Sequence, residues 1–269
     1  MSWLLLSPAA AFVFLVIGER VLPTVTRRRR YVFSDWVLNL VGFAFQGAVI
    51  PLCGYLISTL VLPGWLPGGQ GVIPWGFLGC FLLNFVVVDL LYYWQHRLFH
   101  EVPWLWKFHQ CHHASPTLDV WATARNTAVS NFLFVYMLVN PVLGFLCASP
   151  EGFFAGAAAT ASLDLLRHSR IDLRDTAARR LVGPLSLVFV TPREHHQHHN
   201  ADDVGVNFGA NLILWDRMFG TARVGGAYPS RYRVDGVPGP LQQLFYPVLR
   251  SSGAGEARSH FNTVGGQDS

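Results

Sequence analysis

Apolar residues gather into five runs along the first two thirds of the chain. The first, 3–18 (WLLLSPAAAFVFLVIG), has no basic segment before it and Arg27-Arg28-Arg29-Arg30 after it. A cleaved leader has the reverse charge order. The run is therefore predicted to be an uncleaved anchor whose C-terminal end faces the cytoplasm. The second and third runs, 35–62 and 72–95, are each long enough, at ~1.5 Å per helical residue, to cross ~30 Å of hydrocarbon. The linker between them, 63–71 (PGWLPGGQG), carries no Lys or Arg. A fourth run, about 127–147, turns at Ser149-Pro150 into a fifth, about 152–166. This pair is short and reads as a hairpin that need not cross fully. Beyond about residue 170 the pattern is polar and mixed, and 251–269 reads as disordered.

Charge turns these runs into a topology. With Arg27–Arg30 in the cytoplasm, the second run leads out, the third returns, and the hairpin goes out and back. The predicted outer segments, 63–71 and 148–150, hold no Lys or Arg, and the inner ones hold nearly all of them. Composition agrees. Of 269 residues 51% are hydrophobic and only 13% charged, against about 25% charged in ordinary globular chains. This excludes a disordered chain, a coiled coil and a collagen, and disfavours a soluble enzyme. The net charge of +4 comes from 19 Arg and Lys107 against 16 acids. Its placement follows the topology, so no nucleic-acid partner is expected. Cys53, Cys80, Cys111 and Cys147 show no paired spacing and read as small core residues. The expected fold is all-α and integral to the membrane. It has four to five transmembrane or hairpin helices and a cytoplasmic helical cap. Three units are expected: an anchor with its basic stop at 1–30, a membrane catalytic domain at 31–225, and a partly disordered tail at 226–269.

Eleven histidines are the second anomaly, and all but two sit in tight clusters or beside them. His96 and His100, four apart, share a helix face at the cytoplasmic end of the third run. Asp89 continues that stripe. A carboxylate so near the membrane needs a partner, and the ring N–H of a metal-bound histidine is the expected one. His109-Gln-Cys-His112-His113 and His195-His196-Gln-His198-His199 repeat one spacing, HxxHH. On a helix the three rings of each copy would converge, with His196 off the stripe. His168 stands alone after the fifth run. His260 falls in the tail and is assigned nothing. Nine candidates (His96, His100, His109, His112, His113, His168, His195, His198, His199) are too many for one ion and suit two with four or five ligands each. Imidazole accepts Fe, Zn, Cu or Ni, so ligand type leaves the metal open. No ExxH pair and no HExxH are present, which disfavours a carboxylate-bridged di-iron bundle and a zincin-type protease.

The three histidine motifs resemble those of the fatty acid hydroxylase / sterol desaturase superfamily, integral-membrane non-haem di-iron oxygenases. So do Asp89-Leu-Leu-Tyr92-Tyr93-Trp94, Asn207-Phe-Gly209 and Trp215-Asp216-Arg-Met-Phe-Gly220-Thr221. The resemblance runs from about Asp89 to Thr221. It implies that the nine histidines are metal ligands, and that Asp89, Asn207 and Asp216 support them from behind or hold the structure. His168 matches the family's extra histidine, although Ser169-Arg170 follows it where Ser-Asn or Gly-Asn is usual. The implied chemistry is O2-dependent oxidation of an unactivated C–H bond in a lipid or sterol-like substrate. Hydroxylation is the expected outcome and desaturation a second one. Two Fe ions would be the cofactor, with Zn able to replace them in preparations, and O2 the co-substrate. No dinucleotide fingerprint or haem domain is fused to the chain. Electrons are therefore expected from a separate carrier, a cytochrome b-type protein or a ferredoxin with its reductase. Arg179-Arg180 are a candidate docking point on the cytoplasmic face. The bacterial inner membrane is the expected location. The alternative is a membrane metal-binding or transport protein without oxygenase activity; histidine clusters on one side of the membrane speak against it.

Overall fold

In the computed structural model, residues 2–22, 24, 30–130, 135–172, 180 and 183–248 are described. Arg27–Arg29, Arg179 and the 251–269 tail lie outside them. The described residues are helical, with isolated β-bridges in place of strands. The first apolar run forms α1, Ser2–Val21. The second and third form α2, Phe33–Trp65, and α3, Phe77–Glu101, both long and apolar enough to cross a membrane. A short helix α4, Pro103–His109, follows after one residue. The hairpin is α5, Val135–Leu146, and α6, Pro150–His168. The last two helices needed here are α7, Pro192–His198, and α8, Leu214–Met218.

Only 6% of the apolar stretch of α2 is buried, and 28% of that of α3. The core helix of a soluble protein would be largely covered. These two instead present Leu40, Leu52, Leu60, Leu78 and Leu82 outward, a surface that hydrocarbon would solvate. Both carry π-helical turns, at Phe45–Val49, Ile57–Val61 and Leu83–Val88. The inner face of α3 joins α5 and α6 through Cys80, Leu83, Val88, Val139 and Phe153. Gly156 allows the close crossing of α6 on α3: a Cβ there would fall 2.8 Å from the Phe81 carbonyl. The anchor α1 lies along α6, and Phe12 stacks edge-on against Trp121 at 4.9 Å. The fourth run is helical only over Val135–Leu146 among the described residues.

Below these helices the chain is held by buried polar contacts. Arg125, fully buried, pairs with Asp35 of α2 at 2.9 Å and donates to Gln243. Asp89 sits on the inner face of α3 but meets no histidine ring. Its carboxylate accepts the backbone N–H groups of Asn211 and Leu212 and the indole N–H of Trp215, at 2.8 to 3.1 Å. The expected carboxylate–histidine pair is thus replaced by a clamp that docks the 207–215 loop under α3. The loop backbone offers unpaired N–H donors, and the Asn211 side chain completes the join by donating to the Phe85 carbonyl of α3 at 3.3 Å. Part of the expected tail also belongs to this body. The Val234 N–H binds the His113 carbonyl, and Gln243 is buried against Arg125 and Cys111.

Candidate metal centre

Four helices and one 3-10 turn supply the rings. His96 and His100 come from the last two turns of α3, and His109 from the end of α4. His112 and His113 begin a 3-10 turn just beyond it. His168 closes α6, His195 and His198 lie in α7, and His199 caps it. Pro103 and Pro192 each occupy the first position of a short helix, where a missing N–H costs nothing.

All nine are buried, and they form two groups. One is His96, His100, His109, His113 and His198; the other is His112, His168, His195 and His199. Within each group the available ring nitrogens lie within 4.8 Å of one another. The groups abut, with His113 stacked on His199 at 4.3 Å. The HxxHH repeats do not converge on a single point as the spacing predicts. In each, the first histidine shares a group with one of the later pair, and the remaining one turns to the other group. His109 and His113 go one way and His112 the other; His195 and His199 go together and His198 crosses over. The physical reason is local. His109 ends α4 and His112 starts a tighter turn, while His199 has already left α7. Neither motif is one continuous helical stripe.

Carbonyl groups fix the rings. Nδ1–H donates to the carbonyl of Phe208 from His96, of Arg125 from His112, of Asp164 from His168 and of Val206 from His198, at 2.8 to 2.9 Å. A carbonyl only accepts, so each neutral ring keeps its proton on Nδ1 and presents a bare Nε2. His168 has in addition the Asp164 carboxylate at 3.0 Å from Nδ1. The bare nitrogens then crowd one another. His168 Nε2 lies 3.3 Å from His112 Nε2, two lone pairs face to face. Nε2 of His198 and His199 and both nitrogens of His100 have no hydrogen-bond partner among the described residues. Buried lone pairs so arranged cost free energy unless a cation sits among them. The donor set therefore fits a metal ion in each group.

Burial keeps these rings neutral. It drops His112 to about 3 and His198 to about 4. Burial, reinforced by neighbouring imidazoles, holds His109, His113, His195 and His199 well below the usual histidine value. Neutral imidazole is the form that ligates a metal.

The other expected residues sit behind the rings. Asn207, at φ 55°, donates through its side-chain N–H to the Glu194 and Arg223 carbonyls. It thereby ties α7 to the loop that orients His96 and His198. Asp216 accepts the N–H groups of Phe208 and Gly209 and the Thr221 hydroxyl. His196 is fully buried but turned away from both groups. It donates from Nε2 to the Ser169 carbonyl and accepts from the Tyr232 hydroxyl. Asp164 was not singled out by sequence, and the Trp106 ring lies 5.0 Å from His100. Asp164 stands four residues before His168, a helical spacing that could have shown it.

A family model described as fatty acid hydroxylase matches residues 81–221, which contain every ring of both groups. The chain belongs to the fatty acid hydroxylase family. An ornithine lipid hydroxylase of Rhizobium tropici is 36% identical over 147 residues, 52% of this chain and 40% of its own length. An alkylglycerol monooxygenase of Xenopus tropicalis is 33% identical, over 55% of this chain and 32% of the relative. A cholesterol 25-hydroxylase-like protein of Danio rerio is 31% identical, over 58% of each. The chain thus spans less than half the length of the first two relatives. No solved structure matches it.

Proposed function

We propose that this fatty acid hydroxylase family member hydroxylates an unactivated C–H bond of a membrane lipid, with desaturation as a second outcome. The supporting observation is the pair of adjacent, fully buried groups of imidazoles with bare nitrogens facing inward. His96, His100, His109, His113 and His198 would hold one iron ion, and His112, His168, His195 and His199 the other. When bound, the two ions supply the redox chemistry: R–H, O2, two electrons and two protons become R–OH and water. The protein's own task is geometric. Neutral rings would hold the ions without a carboxylate or thiolate among the donors. The carbonyls of Phe208, Arg125 and Val206 keep each Nε2 aimed inward. Burial keeps bulk water away. Asp89, Asn207 and Asp216 act from behind, on the loop that carries the Phe208 and Val206 carbonyls.

The reading places the chain in a membrane through four or five transmembrane or hairpin helices. A cytoplasmic cap carries the centre, in a bacterium at the inner membrane. A lipid then approaches the rings laterally from the bilayer. The electrons come from a separate carrier, a cytochrome b-type protein or a ferredoxin with its reductase.

Purification without oxygen, followed by metal counting and exposure of the protein in its membranes to 18O2 with reductant, tests the reading. About two Fe per chain, no haem Soret band and 18O in a lipid hydroxyl are expected. Tightly held metal with no label in any lipid, under conditions where a known hydroxylase turns over, would favour a metal-binding or transport role instead.

A further inference from the structure

A narrow cavity of about 40 Å³ opens onto the rings of both groups, touching His96 and His109 on one side and His112, His168 and His195 on the other. Its walls come from the first π-helical turn of α2, the last turns of α3, the end of α6, and Thr123, Asn126, Ser130 and Tyr136. Among the lining side chains other than histidine, only Phe99 lacks a polar atom. Gln46, Tyr92, Gln95, Asn126, Ser130 and Tyr136 all face the space. Gln95 accepts from the Val135 N–H and Ser130 donates to the Thr127 carbonyl. The side chains of Gln46, Asn126 and Tyr136 hydrogen-bond to no other described residue.

An apolar chain threaded past these groups would strip them of water and return nothing, at a cost for each. A bulky charged headgroup fails for other reasons. The space is too small, and its one carboxylate, Asp164, is already engaged with Arg167 and His168.

We infer that the cavity takes the polar end of a lipid. The oxidised carbon then lies next to a small uncharged hydrogen-bonding function (a hydroxyl, ether, ester or amide) and not in the middle or at the methyl end of a hydrocarbon chain. This deepens the hydroxylase reading, on which the word "oxidised" rests. Gln46, Asn126 and Tyr136 recognise the polar function, and the slim cavity excludes its bulkier neighbours. The tail lies outside, along the exposed apolar faces of the membrane helices.

Two readouts on the full chain test this. In membranes under 18O2, tandem mass spectrometry locates the label within the product lipid. The expected position is a carbon flanking the polar function; label in mid-chain or at the methyl end overturns the inference. The second readout needs no turnover. The protein in nanodiscs is photolysed with 1-palmitoylglycerol carrying a diazirine beside the ester or at the terminal methyl. The ester-side probe is expected to label the peptides containing Gln46, Asn126 and Tyr136, and the methyl-side probe to miss them. Gln46→Leu or Asn126→Leu should each cut that labelling about fivefold, as loss of one hydrogen bond would. The reverse pattern of labelling overturns the inference even where 18O enters a lipid. Ester-side labelling with no 18O in any lipid leaves the polar site standing and removes the hydroxylase reading.

Discussion

The two groups of imidazoles differ in number, in support and in what they face. The five-ring group is held from behind by backbone alone, through the Phe208 and Val206 carbonyls, and turns two rings to the cavity. The four-ring group has the Asp164 carboxylate behind His168 and turns three of its rings to the same space. One donor fewer and more exposure to the cavity are the marks of a site with an open position; more donors and less exposure mark a closed one. The two groups are therefore not equivalent as metal sites.

That contrast can be broken most sharply by removing rings. His112→Ala and His198→Ala should each abolish product, and in single variants the four-ring group should lose its metal more completely than the five-ring group. Metal counts for His112→Ala against His113→Ala check this. His196→Ala, by comparison, should keep both ions, and so should His260→Ala, which lies outside the described residues. Equal loss in all of them would show that the rings are wrongly assigned. A smaller effect is expected one step back. Asp164→Asn should weaken metal retention at the four-ring group by about 10- to 100-fold. Asp216→Ala, which frees the Phe208 and Gly209 N–H groups, should act on the five-ring group instead. Chelator titrations of both variants separate the two.

Smaller again is the response of the metal-free protein to acid. His112 and His198 are held near 3 and 4 when folded and return to about 6.5 when unfolded. The unfolded chain binds more protons, so the stability is fully present above pH 6.5 and drains away as the pH falls toward 4. Thermal melts of metal-free protein at pH 7.5 and 5 should show it. A melting point that rises on acidification would contradict the burial of these rings. Last comes the stability of His196→Ala. Loss of its bonds to Tyr232 and the Ser169 carbonyl should cost about 2 kcal/mol by denaturant melts, with metal content unchanged.

The helices and the rings were legible in sequence for different reasons. Hydrocarbon imposes length and apolarity, so α2 and α3 show in the pattern, and α3 ends on the histidines that the i, i+4 spacing marks. How the rings are shared between the groups was not legible. That depends on where α4 and α7 stop, and a one-residue change at a helix end moves a ring by about 100°. The partner of Asp89 was hidden too, because a loop more than a hundred residues away supplies it. So was the return of 231–243. Its polar residues read as tail, yet Tyr232, Val234 and Gln243 find buried partners among the histidine-bearing segments.

That return fixes an order of events in the life of the chain. The His113 carbonyl waits for Val234, and Arg125, whose own carbonyl orients His112, waits for Gln243. All four helices that carry rings are therefore synthesised before their surroundings are complete. A metal ion met during translation would find a half-built shell, and both groups of rings gain their full surroundings only once residue 243 has folded back.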